Sequence, residues 1–117
     1  MNRAEVDTYV YEEYGVKPSY LWKKYPEDYT FRHKGTNRWF GLIMTIEKRK
    51  IGINEDGLTD ILNVKADPEF INMLTQCSGY YPGYHMNKQH WLTICLDGSI
   101  GDSQIRDLID TSFEMTE

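Results

Sequence analysis

The stretch that decides the fold is YTFRHK (29–34), GTN (35–37), RWFGLIMTI (38–46), EKRKIGINEDG (47–57) and LTDILNVKA (58–66). Tyr29 to Lys34 alternates aromatic and polar residues, with His33 on the Phe31 side, which is the period of a half-buried strand. Gly35-Thr36-Asn37 supplies turn chemistry. Trp39 to Ile46 is nearly all apolar and reads as a central strand. A charged, glycine-containing connection follows and ends in Asp56-Gly57. Leu58 to Ala66 reads as the next strand, with Leu62 and Val64 flanked by polar neighbours. Three such runs in succession predict an antiparallel meander.

Helices flank this meander. In Asn2 to Tyr14, Asn2 stands three residues before Glu5, the spacing of a capping box, and Val6, Tyr9, Val10 and Tyr14 share one helical face. Gly15 is a stop signal. Residues 16–28 are irregular, broken by Pro18 and Pro26, and their Tyr20, Trp22 and Tyr25 read as packing aromatics more readily than as a ligand cage. Asp67-Pro68-Glu69 places a cap, a first-position proline and an acid at a helix start, and Phe70, Leu74 and Cys77 follow on one face. Tyr80 to His85 is extended, and His90 to Leu96 is a strand. Asp102 or Gly101 caps a last helix with an Ile105, Leu108, Ile109, Phe113 stripe, and Asp107 and Asp110 fall on its polar, solvated face. The predicted order is α-β-β-β-α-β-β-α. It describes a two-layer α+β domain over residues 1–117, with a five-stranded antiparallel sheet and helices near 2–14, 68–77 and 102–114 packed on one of its faces.

At 117 residues and 13.8 kDa the chain is one domain, expected to expose roughly 6,600 Å² once folded. An aromatic content of 14% excludes global disorder. No apolar run approaches the ~20 residues of a membrane helix. MNRAEVDTYVYEEYG has no signal-peptide core, so the cytoplasm is the expected compartment. Cys77 and Cys95 have no CxxC partner and read as two reduced, partly buried thiols. Neither a metal, a cofactor nor a disulfide is expected.

The net charge of −5 is unevenly spread. Residues 17–51 hold nine bases against three acids, while residues 52–117 hold three bases against eleven acids. A basic stretch inside an acidic protein can still form an anion-binding face, because fields act within a Debye length. In that stretch Arg32, Lys34, Lys48, Arg49 and Lys50 are candidates for phosphate contacts, the last three from the tip of the hairpin between the second and third strands.

The densest chemical cluster is Pro82-Gly83-Tyr84-His85-Met86-Asn87-Lys88-Gln89-His90-Trp91. Lys88 could neutralise a phosphate, Asn87 could meet a phosphate or a base edge, and Trp91 or Tyr84 could stack. Other readings compete. His85 and His90 have poor spacing for a metal, and neither has a nearby third ligand. A nucleophile pair of His85 or His90 with Cys77 or Cys95 lacks any neighbour that would lower the pKa of Cys95, and an enzyme using His85 or His90 as general base is a further alternative. The architectural alternative is that His85, Asn87 and His90 bond backbone groups in a tight connection while Trp91 packs. No P-loop, HExxH, GxSxG or EF-hand pattern occurs.

Pro82 to Gly98, PGYHMNKQHWLTICLDG, closely resembles the signature P-x-Y-H-M-N-K-x-H-W-x-T-x-x-L-D-G of the MmcQ/YjbR family. Asn63-Val64-Lys65 with Asp67-Pro68, and Leu108-Ile109-Asp110 with Ser112-Phe113, extend the likeness. Phe113 stands where Tyr is commoner and Ala66 where Cys is common. The resemblance implies a CyaY-like, secretion-chaperone-like α+β fold. It also implies a DNA-binding role through a "double wing" of strands and loops, without catalysis. Lys65, His85, Asn87, Lys88, His90 and Trp91 then join the five bases named above as candidate nucleic-acid contacts, with weak, non-specific binding expected. The alternative is a protein-interaction or chaperone-like module, such as a homodimer, using the abundant Tyr and Trp.

Overall fold

The computed structural model describes residues 1–117. Asn2 starts α1 (Arg3–Tyr14) as a full capping box: its side chain accepts from Glu5 N–H, and the Glu5 carboxylate accepts from Asn2 N–H. Gly15 ends the helix at φ 65°, a conformation that favours glycine. Asp67 caps α2 (Pro68–Leu74), and α3 (Asp102–Met115) follows Gly101. Five strands complete the chain: β1 (Tyr29–Arg32), β2 (Trp39–Glu47), β3 (Leu58–Lys65), β4 (Tyr80–Pro82) and β5 (Trp91–Cys95).

The strands form one antiparallel sheet in the order β1-β2-β3-β5-β4. Two neighbouring rows across it define its faces. Tyr29, Ile43, Leu62, Ile94 and Tyr80 lie in register across all five strands. All five belong to the main core, which Val6, Val10, Ile71, Ile105, Leu108 and Ile109 of the three helices complete. The next row, Thr30, Leu42, Asn63, Thr93 and Tyr81, points to the opposite face, as alternation requires. None of the three α-helices packs on that face. A small cluster of Ile46, Ile61 and Cys95 lies on it, bordered by Met44, Ile51, Ile53, Tyr81 and Tyr84. The molecule exposes 6731 Å², close to the expectation from its mass.

The architecture is therefore the one the sequence predicts, with local differences. The helix after Pro68 ends at Leu74, and Cys77 lies in the following turn, exposed rather than partly buried. Its amide donates to Leu74 C=O at 2.8 Å, so the chain is already leaving the helix, and Ile71 with Leu74 forms the buried face. The first strand stops at Arg32 beside a bulge, and His33 is buried against Thr116 Oγ1 at 2.8 Å. The extended segment after Tyr80 is only three residues long, and His85 then takes a positive φ of 58°. Asp110 is not a freely solvated acid. It accepts from the hydroxyls of Tyr9 and Tyr14 at 2.7 and 2.6 Å, tying α1 to α3.

Candidate nucleic-acid interface

The register of β2 gives the sheet two chemically different ends. β2 has nine residues, so its ends lie about 26 Å apart at roughly 3.3 Å per residue. The β1–β2 turn leaves from the Trp39 end and the β2–β3 connection from the Glu47 end. Because β3 and β5 are antiparallel, Lys65 pairs with Trp91 at the Trp39 end.

At that end the β1–β2 turn, closed by Arg38 C=O accepting from His33 N–H and by His33 C=O accepting from Asn37 N–H, holds Arg32, Lys34 and Arg38 together. Two depressions flank it. One is lined by Lys17, Arg32 and Lys34, with Tyr11, Ser19 and Asn37 among their neighbours. The other is lined by Arg38, Trp39, Lys65, Trp91, Met115 and Thr116. No carboxylate side chain lines either. Arg32 gives one hydrogen bond to Ser19 Oγ at 3.3 Å, and Arg38 gives one to the Glu117 backbone oxygen at 3.3 Å. Four of the sequence candidates, Arg32, Lys34, Lys65 and Trp91, are thus gathered at one end. Lys17, Arg38 and Trp39 join them. Their charges were visible in the sequence, but their convergence depends on the register.

The three consecutive bases Lys48, Arg49 and Lys50 lie at the far end. They form a 3₁₀ turn, Lys48–Ile51, instead of an open tip. Lys48 Nζ meets Glu55 Oε2 at 3.2 Å, and Arg49 meets Asp56 Oδ1 at 3.0 Å and Asn54 Oδ1 at 2.8 Å. Two of the three are therefore matched by acids of their own connection, and Lys50 alone has no carboxylate partner.

The connection from Gly83 to His90 starts at the Lys65 end and folds back across the open face. Asn63 Nδ2 donates to Tyr84 C=O at 3.2 Å, Tyr84 N–H donates to Thr93 Oγ1 at 2.8 Å, and Thr93 Oγ1 donates to the Asn63 side chain. Lys88 Nζ donates to Gly83 C=O at 2.9 Å, and Asn87 Oδ1 accepts from Gln89 N–H at 2.9 Å. Asn87 C=O takes the amides of His90 and Trp91, and His90 C=O takes that of Ala66. A Cβ on Gly83 would stand 2.9 Å from Trp91, so only glycine lets the connection pass that close. Asn87 and Lys88 therefore hold this loop together. The imidazoles of His85 and His90 are exposed, with His85 edge-on to Tyr84 at 4.2 Å between ring centres.

Cys95 is buried, and burial pushes its thiol up to about 11, the opposite of an activated nucleophile. No three His, Cys, Asp or Glu side chains converge as metal ligands. No helix is long and apolar enough to cross a membrane.

The model of the YjbR family matches residues 12–115. The chain belongs to the YjbR family. It is 38% identical to the uncharacterized protein YyaQ of Bacillus subtilis (strain 168) over 117 residues, which cover 100% of this chain and 99% of that protein. Over 54 residues it is 44% identical to the uncharacterized protein YjbR of Escherichia coli (strain K12), covering 45% of this chain and 46% of the relative. A crystal structure of a Pseudomonas syringae protein, 41% identical, superimposes with a TM-score of 0.98 over 100% of both chains. The family signature at Pro82 to Gly98 thus coincides with the loop that crosses the open face and the strand that anchors it.

Proposed function

We propose that the protein binds DNA through the end of the sheet that carries the β1–β2 turn, without catalysing a reaction. The observation that carries this reading is the gathering of Lys17, Arg32, Lys34, Arg38 and Lys65 in two depressions that flank the β1–β2 turn and that no carboxylate side chain lines. Trp39 and Trp91, in the same lining, are half-buried and suit stacking against a base or sugar. Lys88 and His90 extend this surface from the neighbouring connection. The wing at Lys48, Arg49 and Lys50 contributes less, since its own acids already screen two of its bases. A net charge of −5 opposes capture of a polyanion, so binding is weak and depends little on sequence.

Fluorescence anisotropy with duplex DNA at low and moderate salt tests this. The Arg32→Ala/Arg38→Ala/Lys65→Ala variant should bind more weakly to every duplex and lower the slope of log K against log salt by up to ~2.7, at about 0.9 per lost phosphate contact. Lys48→Ala/Arg49→Ala should have the smaller effect. Binding that is absent at low salt, or unchanged by the triple replacement, would sink the reading. It would then favour the protein-interaction alternative, whose exposed apolar side chains are Tyr20, Leu21 and Tyr25 in the segment before β1, with Tyr11, Leu58, Met73 and Met115 elsewhere.

A further inference from the structure

β1 begins only at Tyr29, which pairs with Ile43, yet β2 continues to Glu47. Beyond Ile43 no strand covers that side of β2. The missing strand leaves a groove of about 680 Å³ on the open face, bounded on its other side by the Tyr84–Met86 connection. That volume lies within the range of small-molecule sites, roughly 300–1,000 Å³. Trp22 and Trp39 form one corner of it, with ring centres 5.8 Å apart and planes at 88°. Tyr25, Met44 and Met86 continue the apolar lining.

The charges of the groove decide what could occupy it. Glu47 and Lys50 are both exposed at its rim and oppose each other. The one buried charged side chain in the lining is Asp28, 7% exposed. Its carboxylate accepts a single hydrogen bond, from Thr45 N–H to Oδ1 at 3.2 Å, and Oδ2 has no donor. Arg3, whose charge also acts on Asp28, gives its hydrogen bonds to Asp60, Thr45 Oγ1 and Glu27 C=O instead. Burial raises the Asp28 carboxyl despite the Thr45 hydrogen bond and the nearby Arg3 charge, so its ionised form lacks compensation that a cation beside it would supply. Indole faces attract cations through the ring quadrupole, most strongly where water is excluded.

We propose that this groove binds a small organic cation with an apolar body, an alkylated or aryl ammonium or guanidinium. The cation rests on Asp28, and the body packs between Trp22, Trp39 and Met44. This groove shares Trp39 with the proposed DNA surface but is otherwise lined by different residues, and it sets a positive requirement on the ligand where that surface sets a negative one.

Benzyltrimethylammonium and phenylmethanesulfonate are matched probes, sharing an aromatic body and differing in charge. Each is titrated into ¹⁵N-labelled protein while the three indole N–H signals are followed. The cation should shift Trp22 and Trp39 saturably and leave Trp91 unmoved, with at least about tenfold preference over the sulfonate. Asp28→Asn keeps an acceptor for Thr45 N–H and should abolish that preference. Trp22→Leu, at a half-buried site, should weaken the cation while the spectrum stays folded. Equal or tighter binding of the sulfonate, equal movement of Trp91, or no saturation below about 20 mM cation would overturn the proposal. No nucleic acid is present in the titration, so its failure leaves the DNA reading untouched.

Discussion

Thr93 shows how a single hydroxyl positions the open face. It donates to the side chain of Asn63 and accepts from Tyr84 N–H, and Asn63 in turn holds Tyr84 C=O. Thr93 and Asn63 are both fully buried. Thr93→Val keeps the shape and strands two buried polar groups, so it should lower unfolding stability by about 2–3 kcal/mol in urea titrations. It should also loosen the connection over the groove, seen as faster amide exchange at Tyr84 to Met86. A loss below about 0.5 kcal/mol would show that the network is dispensable. Asp110 makes a comparable link at the other face, and Asp110→Ala should cost about 2 kcal/mol by releasing two tyrosine hydroxyls from a charged acceptor. A thermal melt of that variant indistinguishable from the parent would contradict this. The motif around Asn87 and Lys88 was conspicuous in the sequence, but its use was not legible there. The groups that bind phosphate are the same groups that bind backbone carbonyls and amides, and only the turn geometry shows that Lys88 reaches Gly83 and Asn87 reaches Gln89.

The β2–β3 hairpin gives the same lesson at the scale of an element. Its strands, the caps at Asn2 and Asp67, and the order of all eight regular elements follow from local pattern, because periodicity and capping are local physics. What the pattern could not supply was the return of Glu55 and Asp56 onto Lys48 and Arg49, which depends on the 3₁₀ turn closing between them. Three bases in a row read as a cationic tip, whereas the folded connection is nearly neutral. These pairs are exposed, so their loss should cost stability little, within about 0.5 kcal/mol. Their effect on a polyanion should be larger. If DNA reaches this wing, Glu55→Gln/Asp56→Asn should raise affinity at low salt and steepen the salt dependence, because two bases gain the freedom to release counterions. Anisotropy titrations that show no gain would confine the DNA surface to the other end of the sheet. The ends themselves could not be assigned from sequence, since residues 17–51 run through both of them.

For the molecule as a whole, attachment of α1 depends on tyrosine protons. The helix buries only Val6 and Val10 completely. Around them, Tyr9 and Tyr14 donate to Asp110 of α3, and Tyr29 of β1 donates to Asp7 of α1 at 2.7 Å. Burial, reinforced by the hydrogen bond to a carboxylate, raises all three phenols above their ordinary value near 10. The folded state thus keeps protons that the unfolded chain gives up. A group raised in this way lends its full stability below its unfolded pKa and loses it as pH climbs through the folded value. Cys95, pushed by burial to about 11, acts with the same sign. Stability should therefore begin to fall near about pH 8.5, where the unfolded thiol ionises, and fall more steeply above about pH 10 as the unfolded phenols follow. α1 should be released first, because its contacts hold most of these phenols. Denaturant titrations between about pH 8 and pH 11 measure the fall, and amide exchange in α1 reports its release. Tyr9→Phe/Tyr14→Phe separates this mechanism from general charge repulsion. The variant gives up two hydrogen bonds at neutral pH but has two fewer protons to lose, so its stability should decline less steeply above pH 10 than that of the parent. Parallel declines in the two proteins would mean that the helix is held by packing alone.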